Sequence, residues 1–196
     1  ASVNFASDAS LTAVHATGRI IGGVAGLSQG TITAAGTCTV ADGTFTAQGS
    51  APVMGGFIGS FQPADSTVFD HVTVTGATFT GTDDASASHT VGGYFGLLTA
   101  NADVTLSVDG ASAFTFGSVR KGDIGGVIGK ITGSSPVTVG GKADAMALTN
   151  TFQNNNFSGN LGGAVGTVDQ NARLKADRLN LTNTMQKSAA NMADLV

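Results

Sequence analysis

Five times this chain repeats a glycine pair, two apolar or small residues and a third glycine. The copies are Gly22-Gly23-Val24-Ala25-Gly26, Gly55-Gly56-Phe57-Ile58-Gly59, Gly92-Gly93-Tyr94-Phe95-Gly96, Gly125-Gly126-Val127-Ile128-Gly129 and Gly162-Gly163-Ala164-Val165-Gly166. Each follows an apolar residue: Ile21, Met54, Val91, Ile124 or Leu161. The copies are 33, 37, 33 and 37 residues apart, a period that signals stacked structural repeats rather than an ordinary globular chain. A unit of that length cannot bury an apolar face alone, so neighbours must stack and share one elongated core.

Two further features keep step with the glycines. Phe45, Phe79, Phe114 and Phe152 each lie roughly ten residues upstream of a glycine pair, and stacked as an internal ladder each is worth about 2–3 kcal/mol when buried. Thr31–Thr33, His71–Thr75, Asp103–Val108 and Pro136–Val139 alternate apolar and polar residues with many β-branched side chains, the pattern of half-buried strands. The expected fold is all-β, a β-solenoid of about five coils of about 35 residues with three short strands per coil. Glycine inside a strand is tolerated where a bend or a close backbone approach demands it. Strict alternation through the motif puts Val24, Phe57, Tyr94, Val127 and Ala164 on one face and Ala25, Ile58, Phe95, Ile128 and Val165 on the other.

The repeat is expected to occupy residues 1–172. Beyond it Leu181, Met185, Ala189 and Met192 fall at helical spacing, and Asn183 with Gln186 has the form of a capping box. Residues 173–196 are therefore expected to form a partly helical cap, which would stop edge-to-edge pairing.

Composition narrows the partners. A net charge of −4 without a basic stripe argues against nucleic acid. Apolar runs such as Pro52–Phe61 are too short and glycine-rich for a membrane span. The lone Cys38 reads as a small core residue. Starting at Ala1 without methionine, the chain is expected to be a processed mature form or an excised fragment.

The apolar-Gly-Gly-apolar-apolar-Gly copies, as in Met54–Gly59, resemble the GLUG motif of bacterial surface proteins, found in large secreted adhesins and in IgA-specific metallopeptidases. Residues 20–170 carry the likeness, which implies an extracellular β-rich stalk or adhesive segment. Phe152-Gln153-Asn154-Asn155 followed by Gly162-Gly163-Ala164-Val165 is also similar to the repeats of polymorphic outer-membrane autotransporters.

Catalytic groups do not converge in the sequence. There is no His-Glu-x-x-His to hold zinc, and His15, His71 and His89 lack partners at ligand spacing. Calcium-binding nonapeptide repeats place Asp at the sixth position of Gly-Gly-x-Gly-x-Asp, where this chain has Leu27, Ser60, Leu97, Lys130 and Thr167. Gly125–Thr132 departs from a phosphate loop at Ile124 and Ile131. Asp83-Asp84, the only acidic pair, sits in a turn-like stretch. No enzyme, cofactor or metal is expected. The expected function is a non-catalytic structural or adhesive protein, extracellular or at the cell surface, serving as a stalk module or self-assembling filament subunit. A second reading is a module that binds a glycan or host protein through loops at 65–70, 82–90 and 153–160. A third is ice binding, from the Thr-x-Thr pairs 31/33, 37/39, 44/46, 73/75 and 78/80, which fade after Thr80.

Overall fold

The computed structural model describes residues 3–5, 7–34, 36–82, 84, 86–153 and 157–186. They form a β-solenoid of parallel strands, each pairing with its counterpart one coil away. Two sheets flank the glycine motif. The approach sheet contains Ile20–Gly22, Val53–Gly55, His89–Gly92, Lys121–Gly125 and Ser158–Gly162; the exit sheet contains Ala25–Gln29, Ile58–Gln62, Phe95–Ala100, Ile128–Gly133 and Val165–Val168. In the approach sheet Gly22, Gly55, Gly92, Gly125 and Gly162 stand in one column, so the alternating steps of 33 and 37 residues are true register.

A third sheet, Thr67–Phe69, Val104–Ser107, Pro136–Gly140 and Arg173–Asp177, follows the exit sheet. A short sheet of Ala9–Thr12, Cys38–Ala41 and Val72–Thr75 precedes the phenylalanine sheet: His15–Gly18, Thr44–Ala47, Ala77–Thr80, Gly110–Gly117, Met146–Gln153 and Leu179–Met185. The expected three strands per coil are thus too few. The third coil has five, and the fourth has four because Gly110–Gly117 runs straight where earlier coils turn a corner. Ala13, Asp42 and Gly76 make that corner in left-handed backbone, at φ of 53°, 54° and 67°. The equivalent Ala113 lies within the extended strand. His71–Thr75 is likewise no counterpart of Asp103–Val108: Val104 is in register with Thr67, while Val72 pairs with Cys38.

The straightened strand also corrects the aromatic ladder. Its members are Phe45, Phe79, Phe116 and Phe152, with successive ring centroids each 5.2 Å apart and planes within 22°. Phe114, the expected member, stands in register with Ala77 and Asn150 and meets the Tyr94 ring edge-on at 5.9 Å. A second aromatic cluster of Phe57, Phe61, Phe69 and Phe95 fills the core where the exit sheet turns into the third sheet. Both clusters belong to one continuous core.

No helix occurs in residues 173–186. Arg173–Asp177 pairs with Pro136–Gly140, and Leu179–Met185 with Met146–Gln153, so the stack continues past the expected boundary at 172. The four-residue step from Leu181 to Met185 fits a helix, but four is also a multiple of two, and Leu179, Leu181, Asn183 and Met185 prolong the inward column of Met146, Leu148, Asn150 and Phe152. Asn183 and Gln186 form no capping box; they accept hydrogen bonds from Asn150 and Gln153 of the preceding coil. Ala189 and Met192 lie outside the described residues.

Candidate functional site

The glycine motif is a corner, not the straight strand that alternation implied. The chain bends at Gly23-Val24, Gly56-Phe57, Gly93-Tyr94, Gly126-Val127 and Gly163-Ala164. Because of the bend, both residues after the glycine pair turn inward. Phe57, Ile58, Tyr94, Phe95 and Val127 are fully buried and Ile128 nearly so.

Each glycine of a motif solves a separate problem of space. On the outer side, the first and third press the approach and exit strands together: a Cβ on Gly55 would meet the backbone of Ile58 and Tyr94, and one on Gly59 the backbone of Ile21 and Gly26. Gly22, Gly92, Gly125 and Gly162 repeat the first arrangement, and Gly26, Gly96, Gly129 and Gly166 the third. The second glycine faces the core and the rung beyond. Gly23 sits against Val40, Gly56 against Val74, Gly93 against Phe114, Gly126 against Asn150 and Gly163 against Asn183. Along this row the core becomes polar. Asn150 Nδ2 donates to the Gly163 carbonyl and to Asn183 Oδ1, both at 2.8 Å, while its own buried Oδ1 takes no hydrogen bond.

Most of the candidate chemical groups are occupied structurally. Gly126 N–H donates to Gly162, and Val127 and Ile128 N–H to Ala164, so the phosphate-loop lookalike has spent its amides on the next coil. Asp84 accepts from the Ser86 amide at 2.8 Å and hydroxyl at 2.7 Å, bonds that hold its carboxyl below the usual range; Asp83 lies outside the described residues. His15 is exposed on the first coil. His71 approaches Asp70 at 3.5 Å, and Lys142, at 3.0 Å, holds the Asp70 carboxyl low. His89 is buried: Nε2 accepts from Thr82 N–H at 3.0 Å while Nδ1 faces the carbonyls of Ala87 and Lys121 at 3.1 and 3.2 Å, which assigns the proton to Nδ1. Burial pushes its pKa down, and the neutral ring ties Thr82 and Ala87 to Lys121 of the next coil. Burial pushes the Cys38 thiol up, and the side chain is wholly enclosed. Among the described residues no His, Cys, Asp and Glu group into a metal-ion site.

Two outer features were missed, or only half seen, in the sequence. One is an open cleft of about 760 Å³ between the exit and third sheets, lined by Gly133, Ser134, Asp169, Gln170, Asn171 and Arg173. Lys130 reaches Asp169 at 3.2 Å beside it. The other is the outward side of the phenylalanine sheet, where His15, Thr44, Thr78, Thr115, Thr151 and Thr184 stand in register. The row thus does not fade after Thr80; it runs to the last described coil. Aligning on Phe116 instead of Phe114 brings it out, since each threonine precedes a ladder position.

No protein-family model, curated protein or solved structure matches this chain.

Proposed function

We propose that the chain is a non-catalytic structural or adhesive protein of the GLUG type, extracellular or at the cell surface, acting as a stalk module or self-assembling filament subunit. The observation that carries the reading is its last described rung. Leu181 and Met185 occupy inward register positions yet are 40 % and 58 % exposed, and Leu174, on the strand before them, is 37 % exposed. Among the described residues no strand pairs with the outer side of Arg173–Asp177 or Leu179–Met185, so this rung is a template that another rung extends. If that rung belongs to a second copy, the contact is head-to-tail and does not close, which yields a fibre. The test is light scattering with negative-stain imaging across concentration. Linear oligomers that vanish in a Leu181→Lys, Met185→Lys variant support the filament subunit. A monomeric rod at the highest concentration refutes it and leaves the stalk module.

The second reading is recognition of a glycan or host protein, and the cleft around Asp169 and Arg173 favours a glycan, since carboxylate, amide and guanidinium groups converge there on hydroxyl-binding chemistry. Glycan-array binding that is lost in Asp169→Ala and kept in the assembly variant would establish it.

A further inference from the structure

The fold requires the inner side of the phenylalanine sheet to be apolar but says nothing about the outer side. The chain has 9 basic and 13 acidic residues, and none lies in the strands of the phenylalanine sheet or the short sheet beside it. The other sheets do carry charges outward or at their edges, among them Asp123, Lys130, Arg173 and Lys175. A solvated strand face accepts Lys or Asp freely, and such charges protect against aggregation, so an uncharged face running the length of the stack calls for another reason.

What replaces the charges is ordered. Thr44, Thr78, Thr115, Thr151 and Thr184 form one row. Thr17, Thr46 and Thr80 run beside its first half, and Thr149 and Thr182 beside its second. Parallel in-register pairing spaces these residues about 4.8 Å apart along the axis and about 6.6 Å apart across it, as neighbouring outward positions of a strand. Threonine is stiff at χ1, so a row in one backbone conformation repeats one orientation of hydroxyl and methyl. The result is one continuous, uncharged threonine row, widened by Thr17, Thr46 and Thr80 on one side in the early coils and by Thr149 and Thr182 on the other side in the late ones.

We infer that this face binds ice, holding surface water in an ice-like arrangement through the threonine rows. Both spacings are of the order of the oxygen repeats on an ice surface. The methyl groups cage water, the hydroxyls anchor it, and the absence of strongly hydrated ammonium and carboxylate groups leaves that water free to take the crystal's order. A crystalline polysaccharide is also flat and hydroxylated, but sugar rings are gripped by exposed aromatic side chains. None lies on this face: Phe45, Phe79, Phe114, Phe116 and Phe152 all point inward and are buried.

The test uses the full chain in ice-affinity partitioning and a thermal-hysteresis measurement. Thr115→Tyr and Thr151→Tyr raise a bulky group from the middle of the array, while Leu97→Tyr on the exit sheet is the control. Circular dichroism and melting temperature verify that all three keep the fold. The expected result is enrichment in the ice fraction with measurable hysteresis, reduced severalfold by either threonine change and unaltered by Leu97→Tyr. No enrichment over an unrelated protein of equal concentration overturns the inference, and so does equal loss in face and control variants. Retention on crystalline cellulose or chitin without ice activity also overturns it, in favour of a polysaccharide lattice.

Discussion

Gly93→Ala tests the corner where the second glycine of a motif packs against an aromatic ring. A Cβ there would sit 2.6 Å from Phe114 Cζ and closer still to the Gly126 carbonyl oxygen. Comfortable carbon contacts are about 3.5–4.0 Å, so the rung must open by about 1 Å. Gly93 N–H donates to Gly125 at 3.3 Å and Tyr94 N–H to Val127 at 2.9 Å; both bonds break if the rung opens that far. Losing them costs about 1 kcal/mol each, and overpacking against the buried Phe114 ring adds about 1–3 kcal/mol. The total of about 3–5 kcal/mol lowers the melting temperature by about 6–20 °C for a chain of this size. Gly117 provides the comparison: a Cβ there meets nothing nearer than 3.7 Å and the backbone is ordinary strand. Gly117→Ala should therefore stabilise by about 0.4–1 kcal/mol through the unfolded chain. Urea and thermal unfolding followed by circular dichroism measure both. A Gly93→Ala protein within about 0.5 kcal/mol of wild type, or a Gly117→Ala protein equally damaged, would refute the steric account.

Two more perturbations probe the core and the buried His89. Phe79→Ala, removing a ring stacked on both sides, should cost about 3–5 kcal/mol; Phe152→Ala should cost less, because its far side faces the half-exposed Met185. Equal urea midpoints for the two variants would contradict the ladder. His89 makes stability depend on pH. Its folded pKa lies below the ordinary 6.5, so the unfolded chain takes up the proton first, and stability is complete above that value and lost as pH falls beneath it. The slope is at most about 1.4 kcal/mol per pH unit until the folded ring titrates. Urea midpoints from about pH 7.5 to about pH 5 should fall for wild type and less for His89→Gln; parallel curves would remove His89 as the cause.

The repeat, the all-β class, the register of the fifteen motif glycines and the placing of Phe45, Phe79 and Phe152 inside are all legible in the sequence. Periodicity reports them because parallel stacking puts equivalent residues one above another, and a column tolerates only what its neighbours tolerate. Two readings failed where periodicity is blind. Phe114 and Phe116 are both aromatic and two residues apart, so either keeps the inward parity; only the straightening of Gly110–Gly117 selects Phe116. Leu181 and Met185 fit both a helix and a strand, and the edge offered by Met146–Gln153 decides for the strand. The glycine motif itself does not announce a corner, since its five residues are compatible with an extended segment. Its sharp bend exists because two sheets must close on one another around a core, and that closure is a property of the whole stack. The continuous threonine face is of the same kind: its residues are in the sequence, but which of them share a row is settled only when the coils are superposed.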